Sequence, residues 1–128
     1  CKDDILVNLG RYGNQMIQYY DCLVWDKTKK QYHKDVSFKQ IGNPQISKEK
    51  QCVFSSSRIS AASYSYKRFE FINEHFIETA ALNQTFSASK QPPLFTEKQY
   101  VKGKGLVTLY KDVSVDKINR DWLSIIMK

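Results

Sequence analysis

Three glutamates at four-residue spacing, Glu70, Glu74 and Glu78, surround His75 and form the densest set of proton-transferring side chains in the chain. An imidazole beside carboxylates is the raw material of general acid–base catalysis. A carboxylate row is equally the raw material of a cation site. The order Glu74-His75-Phe76-Ile77-Glu78 lacks the second imidazole, one helical turn away, that a zinc hydrolase pattern requires. Carboxylates along one helix face also fail to build the oxygen cage of calcium. They read as the solvated flank of a helix. His33 follows Tyr32 beside a lysine-rich turn, an exposed position by default. The serines lack a Gly-x-Ser-x-Gly elbow, and Gly103-Lys104-Gly105 is too short to cradle a phosphate. The expectation is a protein that is not an enzyme and holds neither cofactor nor metal. A small hydrolase is the catalytic alternative.

Thiols are the remaining reactive groups: Cys1, Cys22 and Cys52. Without a Cys-x-x-Cys pair they do not suggest zinc. The chain opens Cys1-Lys2-Asp3-Asp4. This start resembles that of mature bacterial surface lipoproteins of the Bacteroidota type, in which the signal peptide is removed just before an acylated cysteine. The resemblance implies lipidation at Cys1, an export signal at Lys2, Asp3 and Asp4, and an outer-membrane location, facing the cell surface. Two acyl chains would make such anchoring durable, at about 0.8 kcal/mol per buried methylene. With Cys1 carrying lipid, Cys22 and Cys52 remain. A bridge closing that loop of about 30 residues would contribute roughly 3–4 kcal/mol; the alternative is two buried thiols.

The net charge of +7 admits acidic partners, among them nucleic acid. Tyr64, Tyr66, Lys67, Arg68 and Phe69 interleave aromatic and basic side chains as a base-stacking surface does. The same aromatics suit a strand core, and no nucleic-acid-binding motif accompanies them. The lysines are scattered, the tightest group being Lys27, Lys29 and Lys30, and read as solvated surface. Nucleic acid is therefore not among the expected partners.

The elements that must position these residues follow from periodicity. A chain of 128 residues, 41% hydrophobic and 26% charged, supports one core. Met16–Trp25 and Gln31–Ile41, joined by the polar run 26–30, predict an antiparallel hairpin with Trp25 and Tyr32 near its closed end. Gly42-Asn43-Pro44 ends it. Gln51–Ser57 is a short strand. Phe69, Ile72, Phe76 and Ala80 share a helical face, predicting an amphipathic helix near 68–83. Tyr64, Tyr66, Phe69 and Phe71 offer a competing strand. Residues 83–100, with Pro92-Pro93, read as a long loop. Gly105–Val115 alternates as a half-buried strand. Ser114 would cap a C-terminal helix burying Ile118, Trp122, Ile125 and Ile126.

The expected architecture is α+β, a small antiparallel sheet with an amphipathic helix and a C-terminal helix; a mainly β sandwich is the alternative. Residues 1–4 form the anchor and residues 5–128 one domain. The expected function is a lipid-anchored accessory subunit of an envelope transport, secretion or assembly complex. Its partners would be the membrane, through Cys1, and other outer-membrane proteins. Interfaces draw on aromatic anchors, so Tyr12, Tyr19, Trp25 and Tyr32 are candidate contact residues. A soluble basic binding protein, or an immunity or inhibitor protein, is the alternative.

Overall fold

A computed structural model describes residues 5–12, 17–87 and 91–126, with backbone alone for Arg11 and Tyr12. The fold is mainly β. Strands β1 (Ile5–Tyr12), β2 (Ile17–Asp26) and β3 (Gln31–Asp35) form an antiparallel three-stranded sheet in that order. Strands β4 (Gln45–Ser47), β5 (Cys52–Ser60), β6 (Ser63–Ile72), β7 (His75–Thr85), β8 (Leu94–Val101) and β9 (Gly105–Val113) form a second antiparallel sheet, again in chain order. Every connection between neighbours is a local one, which is why turn chemistry decides the layout.

The β2–β3 turn is set by Asp26. Its carboxylate accepts the Thr28 and Lys29 backbone N–H groups at 2.9 and 3.1 Å, and Lys30 takes a left-handed φ of 51°. These bonds, that of Lys29 foremost, hold the Asp26 carboxyl below its ordinary range. After β3, Asp35 caps a 3-10 turn at Val36–Gln40 by accepting from the Ser37 N–H at 2.9 Å.

Two apolar clusters lie on opposite faces of the larger sheet, and β5 feeds both by strand alternation. Val53 points into a cluster with Cys22, Phe38, Ile41, Phe69 and Phe76, which joins the three-stranded sheet and the 3-10 turn to β5–β7. Cys52 and Phe54 point the other way, to Tyr66, Ala80, Leu82 and Phe95, capped by Ile118, Trp122 and Ile125 from the C-terminal segment. Trp122 is 1% exposed and packs edge-on to Phe54, ring centroids 5.7 Å apart. Burying such a side chain is worth about 3 kcal/mol.

The α+β expectation is corrected. The predicted helix near 68–83 is a β-hairpin, β6 and β7, turning at Asn73-Glu74 with φ of 51° and 67°. Two consecutive left-handed residues match the right-handed twist of the flanking strands. Glu70, Glu74 and Glu78 therefore sit on one strand, in the turn and on the next strand. Their four-residue spacing has no helical meaning. Phe69 and Phe76, read as helical neighbours, meet instead in one cluster from adjacent strands.

The C-terminal helix is also corrected. The segment is 3-10 at Val115–Lys117 and Arg120–Trp122, with only Leu123–Ile126 (α1) in α conformation. Asn119 interrupts it by accepting the Asp121 N–H at 2.9 Å, restarting the turn. The residues expected to face inward do so: Ile118, Trp122 and Ile125 are buried and Ile126 partly. The loop expected over 83–100 contains the end of β7 and all of β8 but its last residue. No helix among the described residues is long and apolar enough to cross a membrane.

Candidate interaction surfaces

Cross-strand partners share a face. In the small sheet Ile5 pairs with Leu23, Val7 with Asp21, Leu23 with Lys34, and Trp25 with Tyr32. Tyr20, Cys22 and Val24 alternate with them and face the core. The outward face thus carries Ile5, Val7, Leu23, Trp25 and Tyr32 together. Ile5, Val7 and Tyr32 are each 42% exposed, while Leu23 and Trp25 are half-buried. The Trp25 and Tyr32 rings meet edge to face at 4.9 Å and 65°, the geometry their quadrupoles favour. Asp21, at the margin, is only 7% exposed and lies between Lys34 and Lys39, 3.3 and 3.7 Å away. This is an apolar patch bounded at one margin by Asp21 and its two lysines, a composition suited to protein contact.

A concavity of about 390 Å³ lies between β9 and the C-terminal segment. Glu97, Gln99, Leu109 and Tyr110 line one wall and Lys117 and Arg120 the rim. Glu97 is fully buried. One of its oxygens accepts the Asn119 N–H at 2.8 Å and the other the Gln99 side-chain amide at 3.2 Å. A buried carboxylate needs such partners, and here they fasten the C-terminal segment to β8. Two register shifts in the β8–β9 ladder flank Glu97. They swing Leu109 and Tyr110 outward, to 50% and 43% exposure.

Of the residues singled out from the sequence, Trp25 and Tyr32 are brought together. Tyr19 lies six residues back along β2, about 20 Å from Trp25 at strand rise, with its ring against Gly42. That is a packing role. The Tyr12 side chain and Cys1, Lys2, Asp3 and Asp4 lie outside the described residues. Cys22 and Cys52 are buried thiols in different clusters, with no disulfide between them. Burial pushes the Cys52 thiol above its ordinary range, and does the same to the Tyr66 phenol, which donates to Gln84 at 3.0 Å. Tyr66 and Phe69, weighed as a stacking surface, are core residues on opposite faces. His33 and His75 stand exposed on different sheets. No group of three or more metal-ligating side chains converges among the described residues.

Sequence reasoning missed Ile5, Val7 and Leu23 as surface residues, because a short apolar run reads as core. It also missed the groove, since Glu97, Leu109 and Lys117 are brought together by the chain's return over β8 and β9. The two bulges leave no sequence signature short of the structure.

No protein-family model matches the chain, and no curated protein matches it. Among solved structures, one described as "Structure of a Xanthomonas Type IV Secretion System related protein" shares the fold, with a TM-score of 0.70 and 16% identity. The superposition covers 84% of this chain and 52% of that one, so the chain spans about half that protein's length. At this identity the likeness is one of fold.

Proposed function

We propose that this chain is a non-catalytic, protein-binding subunit of an envelope transport, secretion or assembly complex. The observation that carries the binding role is the outward face of the small sheet, where Trp25 and Tyr32 meet edge to face beside Ile5, Val7 and Leu23. Aromatic side chains with two torsions lose little entropy on contact and bury much area. The shared fold with a protein related to type IV secretion is consistent with work inside such an assembly.

The test is capture from native membranes in mild detergent. A specific envelope protein should co-purify with the natural chain, and the yield should fall at least about tenfold with Trp25→Ala and Tyr32→Ala combined. Recovery unchanged by that pair would overturn the face as the contact. If the captured partner is an enzyme that loses activity on binding, the inhibitor reading replaces the accessory one.

A further inference from the structure

The chain's positive charge is unevenly spent. Residues 98–120 hold six cations against two acids, a net +4 out of +7 for the whole molecule. Among the described residues the ion pairs lie outside this stretch: Lys34 and Lys39 flank Asp21, and Lys50 and Arg68 hold Asp121, while Lys27, Lys29 and Lys30 are exposed and unpaired in the β2–β3 turn. Around β9 none is paired. Lys102, Lys104, Lys111, Lys117 and Arg120 have no ion-pair partner among the described residues, and all are exposed. They bracket an apolar strip, Leu106, Leu109 and Tyr110, each at least 37% exposed. Lys117 and Arg120 rim the groove into which Leu109 and Tyr110 open.

We infer that this groove is a docking site for an acidic segment of a partner protein, one whose carboxylates meet Lys117 and Arg120 while an apolar anchor sits on Leu109 and Tyr110. Charge complementarity selects the occupant: unpaired cations steer an anionic chain and reject basic ones. The apolar strip between them favours a peptide over a nucleic acid, whose binding needs a continuous basic track with stacking rings. Glu97 does not compete, because both its oxygens are already occupied by Asn119 and Gln99 and its side chain is buried. Side chains make the contact, since the paired bulges disrupt the outer edge of β9 that an added strand would need. This surface shares no residue with the Trp25–Tyr32 face, so a substitution on one surface tests it separately from the other.

The probe is a fluorescein-labelled peptide of about ten residues alternating glutamate with leucine and phenylalanine, with a lysine-for-glutamate twin; about ten residues spans the groove with the strip. Anisotropy on the full chain should show saturable binding of the acidic peptide only, weakening at about 0.5 M salt. Lys117→Glu combined with Arg120→Glu should weaken it at least about tenfold. Lys27→Glu with Lys30→Glu, reversing the other lysine group, should leave it within about twofold. If the first pair does not fold, judged by Trp122 emission, Leu109→Asp at an exposed position serves in its place and should also cost about tenfold. The inference is overturned by no acidic-peptide binding, by equal binding to the groove variants, by dependence on Lys27 and Lys30, or by a single-stranded oligothymidine that outcompetes the peptide at the same residues.

Discussion

Asn43 binds Gln18 as one strand binds another. Its backbone N–H donates to the Gln18 carbonyl at 2.6 Å, and its side-chain oxygen accepts the Gln18 N–H at 2.8 Å. The side-chain nitrogen then donates to the Ser56 carbonyl at 2.8 Å. One residue thus joins β2 of the small sheet to β5 of the large one, and a φ of 48° is the backbone condition for doing so. Gly42, beside it, has no room for a side chain: a Cβ there would lie 2.5 Å from Ile17 Cγ2. The turn read from Gly42-Asn43-Pro44 as a strand terminator is in fact the seam between the sheets.

Replacing Asn43 with alanine should therefore cost about 2–3 kcal/mol, two side-chain hydrogen bonds plus a left-handed backbone without its preferred residue. Asn43→Gly should recover about 1 kcal/mol of that by removing the backbone strain. Urea denaturation midpoints check both; a glycine variant no more stable than alanine would contradict the account.

Glu97 governs whether the C-terminal segment stays down. Glu97→Gln keeps an oxygen for the Asn119 N–H and should cost under about 1 kcal/mol, whereas Glu97→Leu strands that donor and should cost about 1–3 kcal/mol. Trp122, 1% exposed in the intact protein, reports the event. Its emission should shift to the red in the leucine variant if the segment lifts, and amide exchange should quicken over residues 117–126.

The first part of β7 extends beyond β8, whose pairing begins at Ala80. There the Phe76 N–H donates to the Ser37 hydroxyl at 2.9 Å and its carbonyl accepts the Gln40 amide at 3.0 Å. Two side chains from the 3-10 turn do what a neighbouring strand would. Ser37→Ala should cost about 1 kcal/mol and accelerate exchange of the Phe76 amide; unaltered exchange would show the bond to be dispensable.

Cys52 gives a pH signature. Its thiol is raised by burial, so the folded state holds the proton more tightly than the unfolded chain. The stabilisation this provides is complete at neutral pH and is lost as pH rises past about 8.5, where unfolded thiols ionise. Tyr66, raised for the same reason, extends the loss above about pH 10. Stability measured from pH 7 to 10 should fall less steeply in Cys52→Ala, and native thiols should react with a thiol reagent at least about tenfold more slowly than in urea.

The sequence announced what local chemistry controls. The β2–β3 hairpin with Trp25 opposite Tyr32 was legible because polar residues separate two aromatic-rich runs. The β6–β7 hairpin was not, because its turn is Asn73-Glu74 without a glycine, and Phe69, Ile72, Phe76 and Ala80 happen to fit a helical period. Sheet pairing overrode that pattern: Phe69 and Phe76 reach one cluster from two strands. In β9 the alternation of Val107, Leu109, Val113 and Val115 reads as one half-buried face, yet the bulges put Leu109 at 50% exposure, Val115 lies exposed beyond the strand's end, and only Val107 and Val113 are half-buried. The groove depends on those bulges and on a return of the chain 20 residues later. Neither is encoded in any short window.

Because Cys52, Val53 and Phe54 hand alternate side chains to the two apolar clusters, neither cluster can loosen while the other keeps its wall. The two sheets should melt in a single step, and damage at either face, even a missing methyl, would be felt by the Trp25 patch and by the groove at β9 alike.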